Sequence, residues 1–210
     1  VSDKDLNWKY VDDIVGEPES IAKARLQSLE LGIEPISPAI GAQAAVIAAA
    51  HSASAIVEIG TGVGVSGLWL LRGAPDATLT SIDSEVDHQQ HARTNLLDAG
   101  IAANRIRLIA GRAGEVLPRM NENSYDVVFV DADPQSVIEY VEHGLRLAKP
   151  GGTVLVPHAL WRGRVADPAQ RDEVASGFRS LITEISGSTA VLSALSPAGD
   201  GLLQISKLLS

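Results

Sequence analysis

The chain has no cysteine. Disulfides, thiol catalysis and cysteine-ligated zinc are therefore excluded, although the compartment is left open. It has no excess of positive charge either. The net charge is −9, and Lys and Arg are scattered rather than gathered into a stripe. That pattern argues against a nucleic-acid partner held by phosphate contacts. Long apolar runs are absent too. The longest, such as Ala44 to Ala50, falls far short of a bilayer span, so no membrane partner is expected. The beginning, Val1-Ser2-Asp3-Lys4-Asp5, is polar and does not read as a leader, so a cytoplasmic setting is expected. There is no internal repeat and no low-complexity segment. What remains is an ordinary composition over 210 residues, enough for one domain with a full core.

The informative stretch runs from Ala55 to Gly67. Ala55-Ile56-Val57-Glu58-Ile59 is a short, mostly β-branched run, as in a buried strand. Gly60, Gly62 and Gly64 follow, and then Val65, Leu68, Trp69 and Leu71 at helical spacing. Strand, glycine turn and helix make the first half of a βαβ unit. The dinucleotide fingerprint G-x-G-x-x-G asks for a third glycine where this chain has Val65. Glu58 stands just ahead of the turn, and a carboxylate there suits a ligand with positive charge better than a diphosphate. Asp83 ends the next strand-like run roughly 20 residues after Gly60, where an acid meets ribose hydroxyls in nucleotide-binding α/β folds. A ribose and a cation together describe S-adenosylmethionine.

The rest of the chain supplies further units. Residues 1–51 read as an N-terminal helical segment, with Trp8 anchoring it, capping a pocket or packing on a partner subunit. Pro18 suits a first helical position, and Ser37-Pro38 is a cap followed by proline for a helix to about His51. His51 would then be a favourable charge at that helix's C-terminus. Ser84 is placed to cap a helix that stops at Gly100. Arg105 to Ala110 and Tyr125 to Val130 read as strands three and four. After the turn Pro150-Gly151-Gly152, Thr153 to Val156 reads as strand five, and Asp167-Pro168 as the start of another helix. The last two strands, Thr189 to Leu195 and Gly201 to Lys207, are joined too closely for a crossover and must pair antiparallel. The expected fold is one α/β domain over 1–210: a doubly wound, Rossmann-like sheet of seven strands, mostly parallel with a reversed last strand, and helices on both faces. Glu58, Asp83, Asp131 and Asp133 all fall near the carboxyl ends of strands, where such sheets bind ligands.

Several pieces together carry a resemblance. They are Val57 to Gly62 with Ser66 to Leu71, Ile82-Asp83, Gly111-Arg112-Ala113, Tyr125 to Asp133, Lys149 to Gly152 and Gly199-Asp200-Gly201. From about Ser37 onward the chain resembles the catechol and caffeoyl-CoA O-methyltransferase-like family of class I S-adenosylmethionine-dependent methyltransferases, and within it the O-methyltransferases of actinobacteria. The resemblance implies that Glu58, Gly60, Thr61 and Ser66 hold the methionine part of S-adenosylmethionine, with Ile36 and Ser37 nearby. It implies Asp83 at the ribose, Ser84 at the adenosine, Ala113 beside the adenine and Asp133 as a cofactor contact that is also a good helix cap. Asp131 would meet the substrate and, in the family, a metal. A homodimer is implied as well.

The chain departs from that family in two places. Pro134 stands where lysine is usual, and Pro157-His158 where an Asp-Asn pair completes the metal site. Mg or Ca needs several oxygen ligands, so no metal is expected here. His158 is a solvated loop residue, a general base, or a ligand with Asp131 to a softer metal. The expected function is methyl transfer from S-adenosylmethionine to a hydroxyl of a small acceptor, with Asp131 and His158 as catalytic candidates. The alternatives are a cofactor-binding protein without catalysis and a nicotinamide-dependent oxidoreductase.

Overall fold

The computed structural model describes residues 3–209, with side chains left out at 4 and 5. Val1 and Ser2 of the polar start lie outside the described residues. Three helices come first: α1 (Asp3–Ile14), α2 (Glu19–Glu30) and α3 (Pro38–Ala50). The strands are β1 (Ala55–Ile59), β2 (Thr78–Asp83), β3 (Ile106–Ala110), β4 (Tyr125–Val130), β5 (Ala148–Pro157), β6 (Val191–Ser196) and β7 (Leu202–Lys207). Between them run α4 (Val65–Gly73), α5 (Val86–Asp98), α6 (Ala113–Val116), α7 (Val137–Leu147) and α8 (Glu173–Gly187).

The seven strands form one sheet in the order β3-β2-β1-β4-β5-β7-β6. All pairs are parallel except those made by β7, which runs antiparallel to both β5 and β6. This is the Rossmann-like class I methyltransferase sheet expected from the sequence. Alternation along the strands splits the core in two. Ile56, Val127, Phe129 and Leu155 face a cluster with Ile40, Ala44, Leu68 and Leu96, beneath α2 to α5. Val57, Val128, Val154 and Val156 face Val141, Phe178 and Leu181, beneath α7 and α8. The order reverses between β1 and β4, so their carboxyl ends diverge and leave a crevice.

Local expectations were corrected where side chains took other partners. Pro18 is the residue before α2, not its first turn. Ser84 does not cap α5. The cap position is Glu85, whose N–H is taken by Asp83 Oδ1 at 2.9 Å. Pro150, Gly151 and Gly152 belong to β5, and a register shift against β4 between Tyr125 and Val127 absorbs them. The helix expected at Asp167 begins at Glu173, capped by Asp172. The reason is Arg179, whose guanidinium binds the carbonyls of Arg164, Val165, Asp167 and Gln170 and holds that segment as a non-helical loop. Ser37 does cap α3, accepting from Ile40 N. His51 ends that helix, and its Nε2 reaches across to Thr153 Oγ1 on β5 at 2.8 Å. Trp8 on α1 is 41% exposed. No helix among the described residues is long and apolar enough to cross a membrane.

Candidate functional site

The site is built on the turn after β1. Gly60 N donates to Ile82 O at 2.8 Å, and Asp131 N donates to Ile59 O at 2.8 Å. The ends of β2, β1 and β4 are thereby locked side by side. Only glycine fits at position 60: its φ is +94°, and a Cβ would stand 1.8 Å from the Asp131 carbonyl oxygen. Asp83 then fixes the turn. Its Oδ2 accepts from Thr61 N at 2.9 Å and from Gly62 N at 3.0 Å. Oδ1 accepts from Glu85 N alone and keeps a second lone pair, so Asp83 can still accept from a ligand hydroxyl.

Above the turn lies a cavity of about 570 Å³. Ile36, Gly60, Thr61, Ser66, Asp83, Ser84, Ala113, Asp131 and Asp133 all line it. Glu58 does not. It is fully buried beneath the wall, accepting the hydroxyls of Ser66 at 2.5 Å and Ser81 at 2.6 Å. Burial pushes its carboxyl up to about 7, against the pull of those two serines. The sequence reading missed Glu34, Glu115, Glu139, Tyr140, Arg112 and His88, which also line the cavity. Glu139 and Tyr140 were lost within the helical pattern of α7, and Glu34 within a loop. Among the described residues, the acids Glu34, Asp83, Glu115, Asp131, Asp133 and Glu139 face only Arg112 and His88 as basic groups. Such a wall repels a diphosphate and favours a cationic ligand.

Asp133 serves two ends. Besides lining the cavity, it accepts from Gln135 N at 3.3 Å and from the Ser136 hydroxyl at 2.8 Å, opening the short turn Pro134–Ser136 before α7. Pro134 thus stands at the start of a helical turn, with no side-chain donor for a ligand.

His158 is the centre of a second arrangement. It follows β5 with φ +56°, a left-handed backbone that turns its ring inward. Nε2 lies 3.9 Å from Asp131 Oδ1, and Nδ1 lies 3.7 Å from Asp200 Oδ2. Asp200 is held by the Arg162 backbone N–H at 2.6 Å. Burial opposes the charged imidazole, but Asp200, Asp131 and Glu34 together move it above its ordinary value. Asp131 is itself shifted upward by burial, partly relieved by His158. A cavity of about 230 Å³, lined in part by Glu34, Ile36, Ile40, Pro157, His158 and Asp200, adjoins the larger one through Glu34, Pro35 and Ile36.

The donors do not fit a divalent cation of the Mg or Ca type. Pro157 offers no side-chain donor where the family's metal site has a carboxylate. Among the described residues, no group of three or more His, Cys, Asp or Glu is arranged to hold a metal ion.

The model of the O-methyltransferase family matches residues 22–208. A protein named Probable O-methyltransferase Rv1220c, from Mycobacterium tuberculosis (strain ATCC 25618 / H37Rv), is 41% identical over 197 residues, covering 93% of this chain and 88% of that protein. A crystal structure of a Corynebacterium glutamicum protein superimposes with a TM-score of 0.91 at 27% identity, covering 100% of this chain and 99% of the other. The O-methyltransferase TomG from Streptomyces achromogenes, solved in complex with SAM, gives a TM-score of 0.83 at 29% identity, covering 97% and 96%. With its sheet order, its glycine turn and a family match over nearly its whole length, the chain belongs to the O-methyltransferase family.

Proposed function

We propose that this chain transfers the methyl group of S-adenosylmethionine to a hydroxyl of a small acceptor without a divalent cation, and that His158 receives the hydroxyl proton. The observation that carries the reading is the line Asp131–His158–Asp200, which runs from the wall of the larger cavity to the wall of the smaller one. The cofactor cavity supports it: hydroxyls and carboxylates for a ribose and an ammonium, and an acidic wall for a sulfonium. Residues 1–210 act as one unit in this reading, since β1 to β7 share one sheet and Ser28 on α2, with Ile33, Glu34, Pro35 and Ile36 after it, lines the cavity.

S-adenosylmethionine supplies a methyl carbon already activated on sulfonium. The chain contributes position and a proton acceptor. Asp83 and the turn hold the ribose end, while Ser66, Thr61 and Asp133 hold the amino-acid end. The acceptor enters between Glu34, Ile36 and His158 and places its oxygen in line with the methyl. His158 Nε2 takes the proton as the oxygen attacks. Asp131 and Asp200, one on each side of the ring, stabilise the imidazolium that results. The C–S electron pair leaves with the sulfur, so S-adenosylhomocysteine, methyl ether and proton balance.

Net charge and the acidic cavity support a small, uncharged or cationic acceptor over nucleic acid. A homodimer is supported by apolar side chains left exposed on α1 and β6: Leu6, Tyr10 and Ile14 on the helix, Leu192 and Leu195 on the strand. The test of the reading is labelled-methyl transfer from S-adenosylmethionine to small hydroxyl compounds in EDTA. Product formed by the intact chain and lost in His158→Ala supports it. Cofactor binding without any transfer favours the non-catalytic alternative.

A further inference from the structure

Helix α2 turns two polar side chains inward and leaves apolar ones outside. Ser28 is buried with Ile21 and Ala24, and the Arg25 side chain beside them is 17% exposed, while Leu26 and Leu29 are left 63% and 57% exposed. Both polar residues hold the segment that follows the helix. Ser28 Oγ donates to the Ile33 carbonyl at 2.9 Å, and Arg25 Nη1 donates to the Ile36 carbonyl at 2.6 Å. Among the described residues no other donor reaches the Ile36 carbonyl. Between these two anchors lie Glu34 and Pro35, in a stretch without helix or strand of its own. Glu34, Pro35 and Ile36 line both the larger and the smaller cavity. The rest of the guanidinium is fixed from behind. Nε and Nη2 form a fork on the Glu17 carboxylate at 2.8 and 2.6 Å, and Glu17 also accepts Trp69 Nε1 of α4 at 3.3 Å. Arg25 thus ties the wall common to the two cavities to the helix that follows the glycine turn.

We propose that Arg25 is a positioning residue for methyl transfer: by fixing the Ile36 carbonyl it sets the wall shared by the two cavities, and with it the place of the acceptor oxygen relative to the methyl carbon. This rests on the methyl-transfer reading. Neither Arg25 nor Glu17 lines either cavity, so Arg25 acts only through residues 34–36. In-line attack is sensitive to such placement, since a displacement of about 1 Å costs about 10²-fold in rate. Lysine cannot do the same. A guanidinium presents N–H groups from three nitrogens in a rigid plane, two to Glu17 and one to Ile36. A single ammonium nitrogen cannot occupy all three places.

The experiment is labelled-methyl transfer to two acceptors of different width, catechol and 2,3-dihydroxynaphthalene. Rates are normalised to the S-adenosylmethionine sites counted by calorimetry. In Arg25→Lys, kcat for catechol is expected to fall about tenfold, and the ratio of the two kcat/KM values to change about threefold or more. Affinity for S-adenosylmethionine is expected to stay within about threefold. A merely structural role removes active protein and lowers both acceptors alike, so an unchanged ratio overturns the proposal. An unchanged kcat overturns it too. Glu17→Gln loosens the fork and leaves Arg25 in place, and it is expected to move the ratio in the same direction by less. Should Arg25→Lys not fold, Glu17→Gln carries the test alone, and an unchanged ratio there overturns the proposal. Lys23→Gln is the control on the same helix, since Lys23 pairs outward with Asp98 at 3.1 Å. It is expected to change neither rate nor ratio, and a shift equal to that of Arg25→Lys would mean general loosening of α2 and overturn the proposal. If the intact chain methylates neither acceptor, the methyl-transfer reading has failed before any variant is compared, and the proposal falls with it.

Discussion

The Asp83 carboxylate on β2 accepts the Gly62 backbone N–H, in the turn after β1, at 3.0 Å, and the same carboxylate oxygen takes Thr61 N at 2.9 Å. The acid expected at the ribose is thus also the clasp of the glycine turn. Asp83→Ala removes the acceptor of three backbone donors, counting Glu85 N. Cofactor affinity should fall by about 1.5–3 kcal/mol, and stability should fall with it, by about 1–3 kcal/mol for stranded donors. Asp83→Asn should be milder on both counts. Calorimetry and thermal melts of the two variants check this, and unchanged affinity in Asp83→Ala contradicts it.

Two glycines of the same turn should respond differently. At Gly60 a Cβ meets the Asp131 backbone, so Gly60→Ala should destabilise the fold severely, by roughly 3 kcal/mol or more. At Gly62 the nearest atom to a Cβ is Ile33 Cγ2 at 3.6 Å, and φ is +49°. Gly62→Ala should fold with a loss of about 1–2 kcal/mol from the left-handed backbone, yet place its methyl against the cofactor. Melting temperatures and binding of the pair distinguish the two roles; equal behaviour contradicts them.

Glu58 should shape the pH dependence of stability. Its carboxyl is raised from 4.5 to about 7 by burial, helped by Asp83 and Asp131. The folded state therefore binds a proton more tightly than the unfolded chain. The stability linked to that proton is fully present below about pH 4.5 and is lost as pH rises through about 7. The change is on the order of 3 kcal/mol for a group this buried. Urea unfolding between pH 5 and 8 should show this decline in the intact chain and a flatter curve in Glu58→Gln. Parallel curves contradict it.

The sheet was legible because its signals are local: β-branched runs, glycine turns and a closing hairpin too short for a crossover. Asp83 and Asp131 were legible for the same reason, since both end such runs. What escaped depends on distant partners. Nothing near Asp167 announces that Arg179 will claim its carbonyl, so the start of α8 was read too early. Glu58 sits beside the glycine turn in sequence, but only the serine on β2 across from it, Ser81, shows that it faces inward. Glu34 and Tyr140 reach the cavity from a loop and a helix far apart in the chain.

His158 should separate binding from turnover. His158→Ala is expected to lower kcat about 10²-fold or more while cofactor affinity stays within twofold. Because Asp200 and Asp131 raise its ordinary value, the rate should climb with pH above 6.5 and then level off. Asp200→Asn should move that climb to lower pH. A pH profile that is unchanged in Asp200→Asn, or full turnover in His158→Ala, contradicts the base.

The central claim is methyl transfer without a divalent cation, and the direct measurement is labelled-methyl transfer in EDTA against the same reaction with Mg added. Equal rates are expected in the two, with turnover dependent on His158. Loss of transfer in EDTA with recovery on Mg alone would contradict it, because an oxygen-rich metal site would then be doing the work assigned to the imidazole.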